Sequence, residues 1–278
     1  MTKSKVSTPI KTILKWAGSK VRIIEQLRPY LPKAKRLVEP FAGSCAVMMN
    51  TDYEKYLIAD ANPDLINLYN ALIILPESIE TDALSLFKER NNKGDYYLTR
   101  TEFNSTKSEL SRLRQASLFL YLNRHCYNGL CRYNQKGGFN TPFGKYKNPY
   151  FPQKEIDSFC DKAYLSKVNI LNLEWQDTLS LVDFDDGVYC DPPYMGSGFT
   201  QYHTAGFSDA DHEALAVALK DINDIQGNPI TVSNSPEAKE LYSDLGFTIH
   251  EIDAPRTISA KGNREPAKEI IAVLEGVK

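Results

Sequence analysis

A chain of 278 residues, 42% hydrophobic and 24% charged, is long enough to bury a core without staples. It falls in the range of about two domains, or one large domain with an insertion. That composition excludes a disordered, collagen-like or repeat protein, and no run of about 18 apolar residues exists to cross a membrane. The net charge of −2 conceals a pattern: residues 1–36 carry +9, residues 110–154 carry +8 with no acid, and the remainder carries −19. Charge sorted in this way suits a polyanion-binding face on an acidic body, or equally a solvated basic surface. The basic N-terminus lacks the apolar stretch of a signal peptide, so none is expected. Cys45, Cys126, Cys131, Cys160 and Cys190 are odd in number and contain no CxxC pair. A reducing cytoplasm therefore fits better than a disulfide framework or a zinc site, and no metal is expected.

In chain order, RLVEPF (36–41) reads as a short buried strand and YLIAD (56–60) as a second one ending in Asp60. Between them FAGSCAVMMN reads as a small-residue turn opening a helix. From Pro63 to about Tyr121 the period is helical, in LINLYNALIIL, DALSLFKERNN and ELSRLRQASLFLYL. Residues 122–147 turn rich in Asn, Gly, Tyr and Arg, with Gly137-Gly138 placed as a hairpin turn. After Pro152 the alternating pattern returns. VNILNL (168–173), GVYC (187–190), ITVSN (230–234), TIHEI (248–252) and EIIAVL (269–274) read as strands. Ser208 and Asp211 form a capping box for DHEALAVALKDI, and SPEAKELYSDL is a further helix. Strands alternating with helices predict an α/β fold with an open, largely parallel sheet, into which the helical block and its hairpin are inserted.

Three features could carry chemistry. Phe41-Ala42-Gly43 follows one strand and Asp60 the next. Small residues let a ligand approach the backbone, and an acid at the neighbouring strand end accepts from ribose hydroxyls. Without GxGxxG or a phosphate-clamping lysine, a nucleoside fits better than a nucleotide. A helix turn beside an acidic loop is the plainer alternative. Second, Asp191-Pro192-Pro193-Tyr194 follows an apolar strand. Two prolines fix the backbone and remove two N–H donors, which leaves the Asp191 carboxylate and the Pro192 carbonyl as acceptors. Such a patch beside Tyr194 suits a planar substrate that donates from an exocyclic amine, although a rigid turn with a capping Asp would look similar. Third, Asn123 to Lys147 interleaves basic residues with Tyr127, Tyr133, Phe139, Phe143 and Tyr146. Arginine can bridge guanine, asparagine adenine, and aromatics can wedge into a stack. An ordinary exposed hairpin remains open as a reading. His125, His203, His212 and His250 are too scattered for a metal cluster or a triad.

Taken together these motifs resemble the DNA adenine-N6 methyltransferases of the Dam type, of bacteria and phage, which act on GATC. The resemblance runs through LKWAGSK (14–20), LVEPFAGS (37–44), LIADANPDLINLYN (57–70), FLYLNRHCYNGLCRYN (119–134), FNTPFGKYKNPYFP (139–152), YCDPPY (189–194) and FTQYHTAGF (199–207). Their order matches the α-group of that family. One departure is visible: Cys45 stands where the family's FxGxG turn has its second glycine.

The resemblance implies a class I S-adenosylmethionine-dependent methyltransferase fold, Rossmann-like with an open mixed sheet. Residues 1–62 and 153–278 would be catalytic, and a helical plus β-hairpin insertion at 63–152 would recognise DNA. It implies S-adenosylmethionine as donor and S-adenosylhomocysteine as product. Asp60 would hold the ribose, with Trp16, Lys20, Phe41, Gly43 and Asp191 lining the donor pocket, and Asp191, Pro192 and Tyr194 would be catalytic. It further implies that Lys15 and the hairpin read double-stranded DNA, with Tyr127 wedging and Asn128, Leu130, Arg132, Pro142, Lys145 and Tyr146 in contact. Arg124, in the same basic segment, is counted with them. A cytoplasmic monomer acting by base flipping is the resulting expectation. The DPPY motif alone also admits a cytosine-N4, RNA or protein-glutamine methyltransferase, and a silent DNA-binding protein could keep the hairpin.

Overall fold

The computed structural model describes residues 8–105, 111–196, 206–255 and 267–277. Seven strands form one sheet: β1 (Arg36–Glu39), β2 (Lys55–Ala59), β3 (Val168–Leu171), β4 (Asp186–Cys190), β5 (Ile230–Asn234), β6 (Thr248–Ala254) and β7 (Ala267–Leu274). Their order is β3-β2-β1-β4-β5-β7-β6. The first five run parallel and β7 enters antiparallel between β5 and β6. The expected open mixed sheet of a class I methyltransferase is thus present.

This order places a ligand crevice. From β1 the chain winds outward to β2 and β3 on one side, and to β4 and β5 on the other. Loops leaving the carboxyl ends of β1 and β4 therefore part, and parallel sheets bind ligands at that switch point. Val38 is in register with Val188, and Glu39 with Ile58. Hence Phe41, Asp60 and Asp191 all emerge on one edge of the sheet. At about 4.8 Å per strand, Asp60 and Asp191 stand roughly 10 Å apart across β1.

The central strands β1, β2, β4 and β5 are buried almost throughout, which is why they read as nearly continuous apolar runs. Leu37, Tyr56, Ile58, Ile170, Tyr189 and Ile271 face one core; Val38, Leu57, Val188, Cys190, Ile230 and Val232 face the other. The second core is covered by α8 (Trp175–Leu179), α9 (Asp209–Gln226) and α10 (Lys239–Asp244). The Ser208–Asp211 capping box that starts α9 is formed as expected.

The first core is shared with the helical block. That block comprises α3 (Pro63–Ile74), α4 (Pro76–Glu89), α5 (Lys93–Ser105), α6 (Arg112–His125) and α7 (Gln153–Leu165). The short α1 (Ile24–Leu27) and α2 (Ala46–Met49) complete the helices. One of these helices departs from the sequence reading. α7 stands where an alternating pattern was expected; it buries Ile156, Phe159 and Ala163 at helical spacing. α5 falls within the stretch read as helical and buries Tyr96, Thr99 and Phe103 at the same spacing. The expected hairpin is a looser structure. Cys126 bridges Phe143 and Tyr133 bridges Phe139, with the tip closed by Asn134 and Gly138, but no ladder forms between them.

Candidate functional site

The turn after β1 is shaped by its two unusual backbones. Gly43 has φ +46°, and a Cβ there would stand 2.8 Å from the Trp16 indole nitrogen. The indole thus lies directly on the turn. Cys45 also adopts the left-handed region, at φ +58°, with its side chain fully buried. An L side chain in that region costs roughly 1 kcal/mol or more, which is the physical reason a glycine suits this place. The Gly43 N–H donates to Asp60 Oδ2 at 3.0 Å, and the Asn62 N–H donates to Asp60 Oδ1 at 2.9 Å. Asn62 in turn caps α3 by accepting from Asp64 N and Leu65 N, with Pro63 at the first helical position. The DANPD sequence therefore aims the Asp60 carboxylate back at the glycine turn.

At the end of β4, Asp191 Oδ1 forms an ion pair with Lys20 Nζ at 2.7 Å. Lys20 is 3% exposed and the Asp191 side chain 20%. Burial pushes the Asp191 carboxyl up to about 6, against the opposing pull of Lys20. The Lys20 ammonium also donates to Gly18 O and lies 4.9 Å from the Tyr194 ring centre. The Tyr194 hydroxyl donates to Glu269 Oε2 at 2.7 Å, and Asn234 Oδ1 accepts from the Met195 N–H. Phe41 meets Phe207 edge to face. Behind this cluster Glu39 is buried, and one of its carboxyl oxygens has no hydrogen-bond partner. Burial, reinforced by the Asp191 charge, pushes its carboxyl pKa up to about 8.

The second constellation is the loop pair that follows α6. The Tyr127 N–H donates to Pro142 O and the Gly144 N–H to His125 O, which brings residues 126–130 against 141–146. Asn128 takes φ +53° and its N–H donates to the Tyr146 hydroxyl at 3.2 Å. Tyr127 is 50% exposed, and Asn128, Arg132, Pro142 and Lys145 are exposed beside it. The Arg132 Nε donates to Asn140 Oδ1 at 2.9 Å, fixing the guanidinium fork. Asn123 clamps the backbone of Lys15 from both sides, accepting from its N–H and donating to its carbonyl. Lys15 Nζ thereby sits 3.6 Å over the Tyr146 ring.

A family model described as D12 class N6 adenine-specific DNA methyltransferase matches residues 16–258. The chain is 48% identical to the retron Ec67 DNA adenine methylase of Escherichia coli, over 95% of this chain and 91% of that one. It is 40% identical to the DNA adenine methylase of Serratia marcescens, over 95% and 98%. It is 38% identical to the DNA N-6-adenine-methyltransferase of Escherichia phage P1, over 95% of this chain and 35% of that one. The chain belongs to the D12 class of N6 adenine-specific DNA methyltransferases.

As a D12 methyltransferase the chain implies use of S-adenosylmethionine, and the residues present fit that group. Trp16 packs on the Gly43 turn so closely that no Cβ would fit, and beside that turn Asp60 presents a carboxylate, the acceptor that ribose hydroxyls require. Trp16, Lys20, Phe41, Gly43, Asp60 and Asp191 gather at the strand ends, whereas Tyr127, Asn128, Arg132, Pro142 and Lys145 gather on the exposed loops.

Arg124 requires correction. It lies on the inner side of α6, 6% exposed, and its guanidinium donates to Thr12 O and Ile13 O. A cation so enclosed holds down the N-terminal segment and stands apart from the exposed loop face. Leu130 is half-buried, and its carbonyl accepts from the Thr141 hydroxyl. The sequence reading missed Glu269 and Glu39: the first lay in a strand read only as closing the sheet, the second in a strand read only as buried. Residues 199–205 of FTQYHTAGF, His203 among them, lie outside the described residues, as do the first two residues of the expected helix at 109–122. Among the described residues no helix is long and apolar enough to cross a membrane.

Proposed function

We propose that this chain methylates N6 of adenine within GATC in double-stranded DNA, acting as a monomer on a target base flipped out of the duplex. The observation that carries this reading is the Asp191 carboxylate at the end of β4, enclosed, paired with Lys20 and followed by two prolines. Inside a stacked duplex the target amine cannot reach such a recess, so the base must leave the stack.

Adenine N6 is a poor nucleophile because its lone pair is delocalised into the ring. Asp191 and the Pro192 carbonyl accept from its two N–H bonds and draw the nitrogen toward a tetrahedral shape, which frees the lone pair. Tyr194 stacks against the base. Asp60 accepts from the ribose of the donor, and Trp16, Phe41 and Gly43 shape its pocket. S-adenosylmethionine, when bound, would supply an electrophilic methyl on a sulfonium and would be left as S-adenosylhomocysteine. The N6–C bond would form as the S–C bond breaks, with one N6 proton passing to solvent. Orientation and fixed acceptors supply most of the acceleration.

Residues 63–152 act as the recognition unit and residues 1–62 and 153–278 as the catalytic one. Arg132, its fork fixed by Asn140, reads guanine through O6 and N7. Tyr127 wedges into the stack, and Lys15, Asn128, Pro142, Lys145 and Tyr146 complete the face. Tritium transfer from labelled donor to a panel of duplexes tests the reading. GATC duplexes accept methyl on adenine only, and duplexes altered at any of the four pairs accept little. Equal transfer to all duplexes refutes the GATC assignment, and transfer to cytosine, RNA or protein instead refutes the substrate.

A further inference from the structure

We propose that Glu269 is a positioning residue for this reaction, holding the Tyr194 ring in the plane against which the flipped adenine stacks. The proposal rests on the adenine-methylation reading above.

Prolines 192 and 193 fix the backbone before Tyr194, but they leave its two side-chain torsions soft. A stacking wall has to be held from elsewhere. Three contacts do so. The hydroxyl donates to Glu269 Oε2 at 2.7 Å, a charge-assisted bond stronger than one to a neutral acceptor. The ring lies beside the Lys20 ammonium, which is itself held on Asp191. The next residue, Met195, is pinned through its N–H to Asn234 Oδ1.

Glu269 has a firm base for this task. It lies on β7, paired with Ile252 of β6, and its neighbour Ile270 pairs with Asn234 of β5. The hydroxyl of Tyr194 and the backbone following it are thus both fixed to the β5–β7 pair. Burial, together with the Asp191 and Glu269 charges, pushes the phenol pKa far up, so the proton stays on tyrosine and the bond keeps its direction. Glu269 touches neither substrate nor donor in this scheme; it acts through Tyr194.

The test is a mutant cycle of Glu269→Ala, Tyr194→Phe and the double variant, with Glu269→Gln beside it. Single-turnover methyl transfer to a GATC duplex is measured, together with 2-aminopurine fluorescence at the target position and donor affinity by calorimetry. Glu269→Ala is expected to slow transfer and flipping about tenfold while leaving donor affinity within about twofold. Tyr194→Phe should do the same, and the double variant should be no slower than either single one, because both remove one bond. Glu269→Gln keeps an acceptor oxygen and should return to within about threefold of wild type. Additive losses, a Gln variant as slow as the Ala variant, or a wild-type rate in Glu269→Ala overturns the proposal. Wild-type protein that methylates no duplex refutes the reading beneath it, an outcome distinct from any of these.

Discussion

Replacing Lys20 with methionine should move the acid limb of the rate profile upward. In the proposed reaction Asp191 would accept from the target amine most strongly as a carboxylate, and its pKa stands at about 6 because burial outweighs the Lys20 pairing at 2.7 Å. Activity of the wild type should therefore fall as pH drops through about 6. Removing a cation in direct contact raises a carboxyl pKa by about 1–3 units, into the range of roughly 7–9. At pH 7.5 the ionised fraction then falls from about 97% to between about 76% and 3%. At pH 9 it recovers to between about 99% and 50%.

Methionine matches the lysine stem in length, so little cavity results, although breaking a buried pair from one side can destabilise by about 3–5 kcal/mol. Thermal unfolding confirms that the variant is folded at the assay temperature, and Lys20→Arg retains the cation. The assay is single-turnover methyl transfer at saturating donor from pH 5.5 to 9.5. A Lys20→Met enzyme slowed equally at every pH would refute the pairing argument and leave Lys20 to the donor pocket alone.

Four further outcomes follow. Asp60→Ala removes the acceptor of the Gly43 N–H and should weaken donor binding by roughly 1.5–3 kcal/mol, with DNA affinity unchanged; calorimetry reads both. Arg132→Ala should lose about 1–3 kcal/mol of discrimination at an outer base pair, and Asn140→Ala part of it, in kcat/KM on matched and altered duplexes. Cys45→Val places a branched side chain at φ +58° and should lower stability by about 2 kcal/mol or more, whereas Cys45→Gly trades strain for lost packing and should stay within about 1 kcal/mol of wild type, both by denaturant titration. Each phosphate neutralised should add about −0.9 to the log–log salt slope of binding; Lys145→Ala should reduce the slope by about that much and Arg114→Ala hardly at all, since Arg114 is paired with Glu102 and Asp82.

The sheet was legible because buried parallel strands read as short apolar runs with chemistry at their ends. Each of Phe41, Asp60 and Asp191 stands within two residues past a strand, so sequence position alone put them on one edge. The α7 helix was less legible. QKEIDSFCDKAYL is polar on average, and its apolar residues form a stripe that its packing on α3, α4 and β3 explains. Partnerships across the fold were not legible at all. Lys20 and Asp191, or Tyr194 and Glu269, lie far apart in sequence and meet only because β1, β4, β5 and β7 are neighbours.

Charge was the least faithful guide, and the reason is specific. Of the basic residues in 110–154, Arg114 is spent on an internal ion-pair network and Arg124 on backbone carbonyls. In the N-terminal segment Arg36 pairs with Asp186, Lys35 with Asp185 and Arg28 with Glu25. What the basic N-terminus does supply is one short connection. Lys15 is clamped to Asn123 beside the exposed loops, Trp16 covers Gly43, Ser19 accepts from Ser44, and Lys20 holds Asp191. Four residues of the six in 15–20 therefore touch the loop that would meet DNA, the turn that would cradle the donor and the carboxylate that would receive the target amine. A segment with those three neighbours must hold its shape for all of them at once. That demand accounts for its tight backbone anchoring: Asn123 satisfies Lys15 on both sides, and Gly18 supplies the left-handed turn that returns Lys20 to the crevice.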